Sequence, residues 1–232
     1  MQLEGSIALV TGANRGLGAA FARGLLAAGA KVVYGAARGP FEPEHPGIVP
    51  VRLDITDPAQ VAAAAERLTD VNVVVNNAGV LHRASTLDGG IEAALRADLE
   101  TNALGTLAVS RAFAPILAAN GGGALVNVLS VVSWVTGPGF AAYAASKAAA
   151  WSLTNALRLG LRPQGTLVVA VHAGYLDTDM AASVTEPKTA PADVVEQVLA
   201  AIEAGQEEVL VDDRTRLVKS ALSAELTTLY PR

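Results

Sequence analysis

The stretch IALVTGANRGLG, residues 7–18, decides how the rest of the chain is read. Its first half is a short run of apolar and β-branched residues, the signature of a strand buried on both faces. Its second half places glycines at 12, 16 and 18, immediately before an apolar segment with helical spacing. Strand, tight turn and helix therefore follow one another in the order a dinucleotide site requires. Glycine lets the backbone turn sharply and approach a pyrophosphate, while the helix N-terminus offers unpaired amides and the positive end of a dipole. A glycine pattern alone also describes an ordinary turn, so its position after the opening strand is what gives it weight.

Working outward, six more β-rich runs alternate with alanine- and leucine-rich segments: KVVYGA, IVPVRLD, VNVVVNNAG, ALVNVLS, LVVAVHAG and EVLVDD. Helices are expected near 16–28, 58–68, 88–118, 143–161, 192–204 and 214–223. Pro58, following Thr56 and Asp57, suits a helix start with a capping side chain and a first-turn proline. The alternation predicts an α/β fold, a Rossmann-type doubly wound parallel sheet of about seven strands covered by helices on both faces. No repeat, heptad seam or linker-like composition break interrupts it, so residues 1–232 read as a single dinucleotide-binding and catalytic domain.

The chain has 232 residues, 17 Lys and Arg, 22 Asp and Glu, a net charge of -5 and no cysteine. The absent thiols exclude disulfides, thiolate catalysis and cysteine-based metal sites. No basic stripe exists to displace counterions, which argues against nucleic acid as a partner. Apolar residues reach 51% but fall in short runs, so neither a membrane span nor a cleaved leader is expected, and the cytoplasm is the default location. His82 and His172 lack the company a metal site needs; His172 reads as structural, and no metal is implied.

The second strand ends in Ala36 and Ala37, where a carboxylate for a free ribose hydroxyl would stand, and Arg38 follows. Arg15 lies inside the glycine loop. Two guanidiniums without an acid favour a 2'-phosphate, because arginine grips phosphate through paired donors. NADP(H) is therefore preferred and NAD(H) possible, with solvated surface arginines as the competing reading. Asp54, after the third strand, reads either as an adenine contact or as a turn aspartate.

In FAAYAASKAAAW, residues 140–151, Tyr143 and Lys147 interrupt a run of alanine that would be helical without them. Four residues apart, they share one helical face, so a phenol and an ammonium approach the same small molecule. Ser130 stands at the end of the fifth strand, thirteen residues earlier, and Asn102 lies in LETNALGT. With TGANRGLG, NNAG at 76–79 and YAASK, the chain resembles the short-chain dehydrogenase/reductase family, in its compact single-domain form, over essentially its whole length.

The resemblance implies a catalytic set of Asn102, Ser130, Tyr143 and Lys147. In it the tyrosine exchanges a proton with the substrate, the lysine holds the nicotinamide ribose and lowers the tyrosine's pKa, the serine orients the substrate oxygen, and the asparagine anchors a relay water. The cofactor would be held by Gly12, Asn14, Arg15, Gly16, Leu17 and Gly18 of the loop and by Arg38, Asp54 and Ile55 beyond the second and third strands. Asn77, Ala78 and Gly79 after the fourth strand, Tyr143, Lys147, and finally Gly174 and Thr178 complete the set. One departure stands out, since the family usually has proline before that glycine and this chain has Ala173. The implied activity is that of a carbonyl reductase or alcohol dehydrogenase on a small or medium substrate; a non-catalytic NADP(H)-binding redox sensor is the alternative. A brief, alanine-rich segment at 179–186 suggests an open substrate site, with Trp134, Phe140, Tyr175 and Met180 expected nearby. The family further implies a homodimer or homotetramer.

Overall fold

The computed structural model describes residues 1–230. Seven parallel strands form one sheet in the order β3-β2-β1-β4-β5-β6-β7. They are β1 (Ile7–Thr11), β2 (Val32–Ala37), β3 (Ile48–Arg52), β4 (Val73–Asn76), β5 (Ala124–Val128), β6 (Leu167–His172) and β7 (Glu208–Leu210). Register runs Ala8 to Val73 on one side of β1 and Ile7 to Val32 on the other. The chain thus reverses its direction of travel across the sheet between β1 and β4, and that switch opens a crevice at the strands' carboxyl ends.

Helices cover both faces, as the doubly apolar strands demand. On one, α1 (Gly16–Ala27) and α6 (Pro191–Ala204) bury Phe21, Leu25, Val198 and Ile202 against the sheet. On the other, α2 (Pro58–Arg67) and α4 (Thr106–Ala119) bury Val61, Val109, Phe113 and Leu117. The start of α2 follows from its sequence, because Asp57 accepts from the Ala59 amide at 2.9 Å and Pro58 needs no donor.

The helix expected over 88–118 is built differently. It comprises α3 (Ile91–Leu99), a π-helical turn (Glu100–Gly105) and α4. Among the described residues this Ile91–Ala119 unit is long and apolar enough by composition to cross a bilayer, yet its apolar side chains at 109, 113 and 117 are fully buried against the sheet. Beside it runs α5 (Ala141–Leu161), starting two residues earlier than its spacing suggested. The chain closes with α7 (Asp213–Ala221) and a single turn, α8 (Leu226–Leu229).

Candidate functional site

The phosphate end is made of backbone. Gly12 adopts φ +67°, and a Cβ there would sit 3.0 Å from the Ala78 backbone. A Cβ on Gly18 would lie 2.1 Å from the Gly12 carbonyl oxygen, so only glycine lets α1 close on the loop. The ends of β1 and β4 are tied together: the Thr11 hydroxyl accepts from the amides of Asn77 and Ala78 at 3.0 and 3.1 Å, and the Asn77 side chain donates to the Thr11 carbonyl at 2.9 Å. No side chain caps α1 and no acid stands in its first turn. Its N-terminal amides therefore face the cleft unopposed, which suits an anion.

Cleft residues continue from this loop past Arg38, Asp54 and Ile55 to Asn77, Ala78 and Gly79, enclosing about 1060 Å³. Asp54 itself is engaged locally, its carboxylate accepting from the Thr56 amide and hydroxyl at 3.0 and 2.7 Å, the turn role anticipated as one of its two readings. Arg15 reaches across the opening to Asp179, 3.1 Å away, with both side chains about three-quarters exposed.

At the chemical end, Ser130, Tyr143 and Lys147 line the same cleft, together with Gly174 and Thr178. Lys147 is buried, and its Nζ donates to the Val128 carbonyl at 2.8 Å while lying 5.7 Å from the Tyr143 ring centre. Burial lowers its pKa to about 8, against an opposing pull from the Asp98 carboxylate. Tyr143 goes the other way. Burial raises its pKa, Asp98 raises it further, and only the nearby Ser130 hydroxyl favours the phenolate. Tyr143 as a whole is half-buried and lines the cleft.

Ser130 is held from three sides. Its amide meets the Ser133 hydroxyl at 3.3 Å, its hydroxyl donates to the Ala173 carbonyl at 3.3 Å, and its carbonyl is 3.2 Å from His172 Nδ1. His172 is fully buried, so its pKa falls to about 4 and the ring is neutral, stacked 3.9 Å from Trp134. Where the family's proline is missing, the Gly174 amide donates to Asp212 Oδ2 at 2.6 Å. The same carboxylate caps α7 through the Thr215 amide at 2.8 Å. A borrowed helix cap therefore fixes the loop that proline would otherwise stiffen.

The model for the short chain dehydrogenase family matches residues 6–189. The chain belongs to the short chain dehydrogenase family. A 1-deoxy-11-beta-hydroxypentalenate dehydrogenase of Streptomyces exfoliatus is 35% identical over 83% of this chain and 75% of its own length. A short chain dehydrogenase of Aspergillus terreus is 33% identical over 78% of this chain, which spans only 43% of that longer protein. A Burkholderia cenocepacia short chain dehydrogenase, solved in complex with NADP, superposes with a TM-score of 0.93 at 42% identity, covering 99% of this chain and 97% of that one.

Placed in this family's frame, most of the anticipated residues reach the cleft, and Gly18, Asn102 and Trp134 do not. Gly18 acts behind the loop through its closeness to Gly12. Asn102 is buried in the π-helical turn, where Nδ2 donates to the Val80 carbonyl and the Ser146 hydroxyl, both at 2.9 Å, and Oδ1 accepts from the Val80 amide at 2.9 Å. It stitches the loop after β4 to the helices. On the substrate side Phe140, Tyr175 and Met180 line the cleft as expected, whereas Trp134 turns away to His172. His172, read as structural, does prop Ser130, whereas Asp98, Asp212 and the part played by His82 were missed from the sequence. Each depends on a partner 16 or more residues away, so no local spacing marks it. The described residues hold no cluster of metal-ligating side chains.

Proposed function

We propose that this protein is an NADP(H)-dependent oxidoreductase interconverting a small or medium carbonyl compound and its alcohol, with Tyr143 as general acid and base. The observation that carries the reading is the meeting, in one cleft, of an uncapped α1 N-terminus with Ser130, Tyr143 and Lys147. The volume of about 1060 Å³ exceeds the ~300–1,000 Å³ usual for a single small ligand, as a site shared by a dinucleotide and a substrate requires.

The glycine loop fits a pyrophosphate, since Gly12 and Gly16 turn at positive φ along the cleft and the uncapped α1 amides face it. Arg15 and Arg38, with no acid beside them on β2, fit a 2'-phosphate, and the Burkholderia relative's NADP supports that choice. Lys147 would hold the nicotinamide ribose, and Thr178 the carboxamide. When bound, the cofactor supplies or accepts the hydride. The residues of the chain handle the proton: Ser130, turning its hydroxyl from the Ala173 carbonyl, donates a hydrogen bond to the substrate oxygen, and Tyr143, un-ionised because burial and Asp98 favour the phenol, delivers its proton there in the reductive direction. Lys147, with a pKa of about 8, can pass a proton onward near neutral pH. The fit to small, open-ended substrates follows from the single short 3₁₀ turn at Asp179–Ala181 over that end. The small-residue helices α4 and α5 support assembly as a dimer or tetramer.

The test is NADPH oxidation with a panel of ketones and aldehydes. Tyr143→Phe should retain NADPH binding by fluorescence titration and lose about 10²–10⁴ in kcat. Near-normal turnover in that variant would remove Tyr143 from the proton-transfer role, and no turnover by the wild type with any carbonyl would favour a redox sensor.

A further inference from the structure

Asp98 is a carboxylate with no accessible surface, and one residue satisfies it. His82 Nδ1 lies 2.7 Å from Oδ1, and the His82 amide donates weakly to Oδ2 at 3.4 Å. An isolated buried charge is costly, so such a carboxylate is kept for what it holds. What it holds is an imidazole whose side chain is half exposed and lines both the cleft and a shallower groove shared with Arg83, Ala84 and Asp88. Since Nδ1 is on the buried acid, the open half of the ring carries Nε2.

The backbone under His82 is fixed from both sides. Asn102, one helical turn after Asp98, pairs with both polar groups of Val80 at 2.9 Å. Beyond His82, the Ala84 amide donates to the Gly139 carbonyl at 3.2 Å, and the Arg83 guanidinium lies 4.6 Å over the Phe140 ring. His82 is thus presented by a stretch anchored to the π-helical turn on one side and to the start of α5 on the other, the preorganisation a specific contact needs. With Nδ1 donating to the Asp98 carboxylate, the tautomer that carries its single proton on Nδ1 leaves Nε2 as an acceptor.

We propose that Asp98 positions His82 so that Nε2 accepts a hydrogen bond from a hydroxyl of the substrate, making the preferred substrates hydroxylated ketones or aldehydes. The inference rests on the oxidoreductase reading above and extends it. The cleft then offers donors to the reacting oxygen, from Ser130 and Tyr143, and an acceptor to a second group, from His82. A plain carbonyl compound uses the first set and leaves Nε2 to water.

The test compares matched ketone pairs, each an alkyl ketone and its counterparts with one hydroxyl moved along the chain, in the wild type and in His82→Phe. At least one hydroxylated ketone should be preferred by the wild type. For it, kcat/KM should fall about tenfold in His82→Phe, the worth of one hydrogen bond near 1.4 kcal/mol, while the plain ketone changes less than about twofold. Asp98→Asn should lose much of the same discrimination with His82 still present. Because a variant at a buried site can fail to fold, the imidazole tautomer is read independently in the wild type by ¹⁵N NMR at alkaline pH. With three histidines in the chain the signals are assignable. His82 should show a protonated Nδ1 and a bare Nε2. A proton on Nε2, equal losses for both members of every pair, or full discrimination in a folded Asp98→Asn protein would overturn the proposal while leaving the oxidoreductase reading intact. A wild type that turns over no carbonyl at all would overturn both.

Discussion

The two ends of the cleft are built from different materials. At the phosphate end the chain itself forms the surface: Gly12, Gly16 and Gly18, the uncapped α1 amides, and the Thr11 to Asn77 tie all act through backbone groups. At the substrate end the walls are side chains on irregular segments, Phe140 before α5, Tyr175 after β6 and Met180 in a single turn, backed by Asp98, His172 and Asp212 from elsewhere in the fold. A backbone surface recognises what every dinucleotide shares and tolerates almost no change. A side-chain surface on loops can be redrawn while the scaffold stays put. The lesson is that cofactor and substrate recognition are physically separable here, and three experiments press on that division.

The strongest break is Gly18→Ala. Its methyl would meet the Gly12 carbonyl oxygen at 2.1 Å, and that backbone cannot yield as the end of a flexible side chain could. A cost of about 3 kcal/mol or more is expected. It should appear as a lower melting temperature and a loss of NADPH binding by calorimetry, whereas Met180→Ala, half-exposed at the other end, should leave both nearly unchanged. Normal NADPH affinity in folded Gly18→Ala would erase the distinction.

Acid should loosen the substrate end first. His172 is neutral in the fold with its pKa lowered to about 4, whereas the unfolded chain takes up that proton near the ordinary 6.5. Below pH 6.5 the unfolded state binds more protons, so stability falls as pH drops from about 6.5 to 4 and then levels. By pH 5 this site alone should cost about 2 kcal/mol relative to neutral pH. Urea unfolding across that range measures it. Trp134 stacks on His172, so tryptophan fluorescence should change along with it, and His172→Gln should flatten the profile. A flat profile in the wild type would mean the ring is not the acid-sensitive prop.

The smallest effect concerns the rim of the phosphate end, where side chains do contribute. Replacing both Arg15 and Arg38 by alanine should lower the NADPH-to-NADH preference about tenfold, worth ~1.4 kcal/mol, with little change for NADH. Steady-state kinetics with each cofactor gives the ratio; an unchanged ratio would return both arginines to the solvent, and Arg15 to its ion pair with Asp179.

Much of this molecule is legible along the chain because the relevant physics is local. Strand runs apolar on both faces, glycines where a turn meets a helix, Asp57 and Pro58 at a helix start, and Tyr143 four residues before Lys147 each express a short-range rule, and each marks its element in the fold. The π-helical turn inside the expected 88–118 helix left no such mark, since it is fixed by Asn102 reaching Val80 and Ser146, contacts 22 and 44 residues distant. The same holds for Asp98 with His82, His172 under Ser130 and Asp212 on Gly174. Sequence by itself determined the doubly wound sheet, the glycine loop at its first turn and the shared helical face of Tyr143 and Lys147. Tertiary structure alone decided which way the phenol's acidity is pushed and which groups buttress the substrate end, because desolvation and Coulomb interactions depend on distances in space that no spacing along the chain encodes.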